Sequence, residues 1–155
     1  MLNVYVLGAG SGERCPPAQR QEPLPAPRSL YVLDLPGYGY ARASQTDRRA
    51  FRLLITHALK RPTLVGVLWL LDIRHEPSAD DRAMQELFAE RGTRVLVVFT
   101  KSDTLARAGR GRRERELRQT LELGDDQVIA TSARRIEGIE ELREAIAGLI
   151  QERTA

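Results

Sequence analysis

Cysteine is almost missing from this chain. Cys15 is the only one, so no internal disulfide can form and a reducing compartment is the expected setting. Lysine is nearly as scarce: Lys60 and Lys101 stand against 22 arginines, the bias a GC-rich genome imposes. Long apolar runs are also lacking. The longest, Leu64 to Leu71, is far too short to span a bilayer. The start carries no charged segment followed by an apolar core and a cleavage site, so no secretory signal is expected and the anticipated location is cytoplasmic. His57 and His75 have no Cys or His partners at metal-ligand spacing, which argues against a histidine metal centre.

What is present fits one α/β domain. Its 155 residues suffice for a single compact unit, and at 42% hydrophobic they can fill a core. A net charge of +3 mildly favours an anionic partner. Met1–Leu7 reads as a short strand. Gly8–Ser29 holds three glycines and five of the eight prolines without periodicity, and reads as a loop. Leu30–Leu33 reads as a buried strand. A helix capped at Ser44 follows, with Ala50, Phe51, Leu54, Ile55, Ala58 and Leu59 on its inner face. Leu64–Asp72 has the continuous apolar character of a strand covered on both faces. Ser78 and Asp81 resemble a capping box before a helix that buries Met84, Leu87 and Phe88. Strand Arg94–Phe99, helix Arg107–Leu123, strand Gln127–Ala130 and a helix carrying Ile139, Leu142, Ile146, Leu149 and Ile150 complete the chain. From Leu30 onward this alternation predicts a doubly wound, mostly parallel sheet in three layers.

Three segments at predicted strand ends carry chemistry. Asp34-Leu35-Pro36-Gly37 follows the strand at Leu30. In a nucleotide site such an Asp holds Mg²⁺, commonly through water, and the glycine amide reaches the terminal phosphate. The same residues also suit an ordinary strand-end turn. Thr100-Lys101-Ser102-Asp103 follows the strand at Val95. A carboxylate there can accept paired hydrogen bonds from guanine N1–H and its exocyclic amine, a donor pair adenine lacks. The Lys101 stem can lie across the base; a polar turn is the alternative. Ser132-Ala133 ends the last strand, where backbone groups can fix the guanine carbonyl.

Together with Leu-Leu-Asp-Ile-Arg-His at 70–75 and Ser-Ala-x-x-x-x-Gly-Ile-Glu-Glu-Leu from Ser132, these runs resemble the EngB family of ribosome-assembly GTP-binding proteins. The resemblance covers about Leu30 to Ile150. It implies a GTPase-like fold. It also implies binding of GTP or GDP with Mg²⁺ through Asp34, Leu35, Pro36, Gly37, Thr100, Lys101, Ser102, Asp103, Thr131, Ser132 and Ala133, with Asp34 near the metal. Assembly of the large ribosomal subunit, a link to division septum formation and a monomeric state are further implications. Tyr38, in place of the water-orienting Gln of many GTPases, implies slow intrinsic hydrolysis.

The family's phosphate loop, Gly-x-x-x-x-Gly-Lys-Ser/Thr, has no counterpart. Gly8-Ala9-Gly10-Ser11-Gly12 lacks the Lys, and Pro16 and Pro17 oppose a following helix. Met1–Val6 resembles instead the family's second strand, in a hairpin with the strand at Leu30. The first strand, phosphate loop and first helix would then lie upstream of Met1, making this an incomplete single domain; a natural variant without phosphate binding is the alternative. On that reading the slot between the strands at Leu30 and Leu64 is empty, leaving unpaired edges or a collapse of the two strands together. Arg107, Arg110, Arg112 and Arg113 offer a basic face for ribosomal RNA, although interleaved Glu114 and Glu116 suit a solvated helix. A nucleotide-independent RNA- or ribosome-binding module is the rival function.

Overall fold

The longest apolar run becomes the strand around which the fold is arranged. The computed structural model describes residues 2–11, 28–38 and 45–152. In it β3 (Leu64–Asp72) is the middle strand of five. The others are β1 (Leu2–Ser11), β2 (Arg28–Tyr38), β4 (Val95–Thr100) and β5 (Val128–Ala130), in the order β2-β1-β3-β4-β5. Four helices intervene: α1 (Gln45–Leu59), α2 (Ala79–Glu90), α3 (Arg107–Thr120) and α4 (Ile139–Glu152). Among the described residues no helix is long and apolar enough to cross a membrane.

β3, β4 and β5 pair in parallel, and alternate residues serve opposite faces. Val67, Trp69, Val97, Phe99 and Val128 pack with Ile55 and Leu59 of α1, Met84, Leu87 and Phe88 of α2, and Leu117 of α3. Trp69 and Phe88 meet edge to face, centroids 5.6 Å apart. On the other face Leu68, Leu96, Val98 and Ile129 pack with Leu142, Ala145, Ile146, Leu149 and Ile150 of α4. The three layers expected from the alternation are therefore present. The capping box of α2 also forms: the Ser78 hydroxyl accepts from Asp81 N–H, and the Asp81 carboxylate accepts from Ser78 N–H. The expected cap Ser44 lies outside the described residues.

Two expectations need correction. On α1, Ala50 and Leu54 are exposed, Leu54 by 46%. Phe51, Ile55, Ala58 and Leu59 already define the buried stripe, and Leu54 falls on its flank, where no element among the described residues covers it. The second correction concerns β1. Gly8–Ser11 and Arg28–Ser29, expected in a loop, are strand, paired from Gly8↔Tyr31 to Ser11↔Arg28. The hairpin is as expected, but its position is not. β1 pairs antiparallel with β2 along one edge and with β3 along the other, so Val6 faces both Leu33 and Val67. It occupies the slot expected to be empty. The facing edges of both flanking strands are thereby paired through β1, so the sheet has neither the gap nor the direct β2–β3 pairing that was expected.

A proline within β1 tests this placement. Val6→Pro removes a ladder donor in a central strand and is expected to lower unfolding stability by about 1–3 kcal/mol, read from urea denaturation. A peripheral β1 would give a change near zero.

Candidate functional site

Parallel register brings three strand ends together. Asp72 of β3 lies beside Thr100 of β4, and Phe99 of β4 beside Ala130 of β5. Hydrogen bonds lock the segments beyond. Thr100 Oγ1 donates to Leu71 O at 3.2 Å, and Ile73 N–H donates to Thr100 O at 3.2 Å. Thr131 N–H donates to Phe99 O at 2.7 Å, and Ser102 N–H to Thr131 O at 3.0 Å. Lys101 turns the chain out of β4 with φ 62°, in the left-handed region, and a single 3-10 turn follows at Ser102–Thr104.

The two carboxylates here are held differently. Asp103 Oδ1 accepts from the Ser132 hydroxyl at 2.6 Å, and Ser132 Oγ accepts from Arg135 N–H at 3.1 Å. Ser132 is fully buried, so this hydroxyl is fixed in one orientation. The Ser132 bond, more than the charges of Arg134 and Arg135, holds the Asp103 carboxyl below its usual range. Asp72 is gripped by an arginine fork. Arg74 Nε donates to Oδ1 at 2.8 Å and Nη2 to Oδ2 at 2.6 Å, while Lys101 Nζ donates to Oδ2 at 2.9 Å. The Arg74 fork is the main reason its carboxyl lies well below the carboxylate range, with Lys101 adding to it against desolvation.

The loop after β5 closes on itself. Ser132 and Glu137 exchange two backbone hydrogen bonds, at 3.0 and 3.1 Å. Gly138 then adopts φ +70°, and a Cβ there would sit 2.2 Å from Ala130 O, so only glycine fits. Beside these loops lies a groove of about 760 Å³. Its floor is apolar, from Val32, Leu68, Leu70, Val98 and Leu142. Lys101, Asp103, Ala133 and Arg134 stand at its loop end.

The structure thus gathers Thr100, Lys101, Ser102, Asp103, Thr131, Ser132 and Ala133 at one edge. The Asp34 segment is placed differently. β2 continues to Tyr38, so Asp34-Leu35-Pro36-Gly37 is strand rather than the expected strand-end turn. Leu2↔Tyr38 and Val4↔Leu35 leave Pro36 and Gly37 at a bulge, where proline and glycine are tolerated because the pairing is locally disrupted. Asp34 is exposed, and Leu35 is buried in the main core, so its side chain is structural. Two of the four candidate RNA-contacting arginines are committed to protein contacts. Arg110 donates to Leu105 O and pairs with Glu137, and Arg113 donates to Ile73 O and pairs with Glu76. Arg107 and Arg112 are exposed, and Arg112 pairs with Glu116 at 3.6 Å within α3. Sequence reasoning missed the pairing of Asp72 with Lys101. Only the β3–β4 register shows it: an acid ends β3 and a base immediately follows β4, its parallel neighbour.

Several known proteins are similar to this chain. Proteins described as probable GTP-binding protein EngB match at 37% identity in Alkaliphilus metalliredigens, 40% in Syntrophomonas wolfei and 42% in Gemmatimonas aurantiaca. The aligned stretches cover 81%, 77% and 77% of this chain, and 61%, 62% and 59% of those relatives. The chain therefore spans about three fifths of the length of the curated relatives it matches. A crystal structure of a probable GTP-binding protein engB superimposes with a TM-score of 0.61 over 76% of each chain, at 18% identity. No family model matches.

Asp72 gives the chain an acid-sensitive element. Its folded-state carboxyl titrates below the unfolded value near 3.9, so its stabilisation is complete above about pH 4 and lost progressively below it. Urea midpoints measured from pH 6 to pH 3 are expected to fall, and to fall less in Asp72→Asn.

Proposed function

Because the chain belongs to the EngB family over the stretch it shares with those relatives, we propose that its strand-end groove binds a guanine nucleotide. The observation that carries this is the Asp103 carboxylate, held by the buried Ser132 hydroxyl at the loop end of the groove beside Lys101. An ionised carboxylate is acceptor-only, so it pairs with the two adjacent donors on guanine's edge and finds no such pair on adenine. Leu68, Leu70 and Val98 supply an apolar surface at the same groove. The Ala133 N–H is the backbone donor for the guanine carbonyl, because those of Thr131 and Ser132 are already paired within the chain.

Phosphate and metal contacts are proposed on narrower support. The groove's cations are Lys101 and Arg134. Among the described residues no group of three or more metal-ligating side chains forms a cluster. Mg²⁺ is therefore proposed to arrive with the nucleotide's phosphates, touching the chain through the exposed Asp34. GTP hydrolysis, a part in assembling the large ribosomal subunit, a link to septum formation and a cytoplasmic location are proposed from the family resemblance. A contact with ribosomal RNA is assigned to Arg107 and Arg112 rather than to the committed Arg110 and Arg113.

Titration with fluorescent GDP in the presence of Mg²⁺ tests the site. GDP is expected to displace the probe and ADP is not. Asp103→Ala removes two charge-assisted hydrogen bonds of about 1.5–3 kcal/mol each and is expected to weaken binding by about a hundred-fold or more. Equal displacement by ADP, or no binding at all, overturns the proposal and leaves the nucleotide-independent RNA-binding module as the function to pursue.

A further inference from the structure

The Asp72 carboxylate is more heavily bonded than its own burial requires. Its side chain is 10% exposed, and a carboxylate so enclosed needs strong partners. Arg74 meets that need alone, engaging both oxygens through its fork and donating its backbone N–H to Oδ1 at 3.1 Å. The bond from Lys101 Nζ to Oδ2 is therefore surplus for Asp72, although it is consequential for Lys101. A lysine side chain is a flexible four-carbon stem that loses considerable rotamer freedom when its tip is held. Here its backbone is set at φ 62° and its tip is tied 29 residues away in sequence. Lys101 also lines the groove that holds Asp103.

We propose that Asp72 is a positioning residue for the guanine site. Held by Arg74, it anchors the Lys101 ammonium, so the lysine stem becomes a fixed wall of the groove before any ligand arrives. This rests on the guanine reading above. The gain is preorganisation: the ordering of a long side chain is completed in the free protein and need not accompany binding. The device depends on the β3–β4 register, because a shift of one residue moves Asp72 away from the start of the Lys101 segment.

Two readouts test it. The chain has only two lysines, Lys60 and Lys101, so trace acetylation with acetic anhydride followed by mass spectrometry compares them directly without any nucleotide. Both lysines reach solvent, Lys101 with 56% of its side chain exposed, so any protection comes from the Asp72 pair: Lys101 is expected to react several-fold less than Lys60, and Asp72→Asn to raise its relative reactivity about five-fold. Asp72→Glu, which keeps the charge, is expected to restore part of the protection. An unchanged ratio in Asp72→Asn overturns the anchor. The second readout is a cycle of GDP affinities. Asp72→Asn and Lys101→Met are each expected to weaken binding about five-fold, and the double variant no more than Lys101→Met alone. Independent, multiplying effects overturn positioning through Lys101. A wild-type chain that binds no GDP removes the guanine reading and the positioning role with it, while the acetylation ratio still decides whether Asp72 holds Lys101.

Discussion

Parallel, in-register pairing of β3 with β4 and of β4 with β5 is the constraint on which the candidate site depends. Parallel strands share one carboxyl edge, so the segments after Asp72, Thr100 and Ala130 emerge side by side. No single loop contains the site. Asp72 comes from the first segment, Lys101 and Asp103 from the second, Ser132 from the third. The strands that carry them are among the most deeply buried parts of the molecule, with Val67, Trp69, Val97 and Phe99 almost fully enclosed. Side chains at the edge thus inherit their positions from a close-packed interior.

Asp72 and Asp103 show how environment separates two carboxylates of the same type. Asp72 is engaged by an arginine fork and an ammonium, which leaves it little capacity for a ligand. Asp103 takes one hydrogen bond from a neutral hydroxyl. An ionised carboxylate has about four acceptor positions, so that bond fixes its orientation while leaving acceptor capacity toward the groove. One carboxylate serves the framework, and the other lines the groove with acceptor positions to spare.

Much of this was legible in the sequence, and the rest was not for physical reasons. The β3, β4 and β5 strands announce themselves because apolar residues buried on both faces form continuous runs. The α2 cap is a local pattern of Ser78 and Asp81. The tie between Asp72 and Lys101 was hidden because it depends on register between separate strands, which composition does not encode. The β1 strand was half missed because Gly8 and Gly10 lack side chains and mimic a loop. Its central place was missed because the inference of an empty slot took no account of another segment filling it in the opposite direction. Leu54 was misplaced because helical spacing defines a stripe but not its width, which the covering elements decide.

The insertion of β1 between β2 and β3 also has a consequence for how the chain is made. The β1–β2 hairpin is complete once Tyr38 has been synthesised, but β3, its second neighbour, begins only at Leu64. Until then the far edge of β1 presents unpaired backbone groups to its surroundings. Such an open edge can template pairing with a strand of another chain. The interval between the hairpin and the arrival of Leu64 is therefore a window for aggregation during translation, and the two ends of the sheet are joined only when it closes.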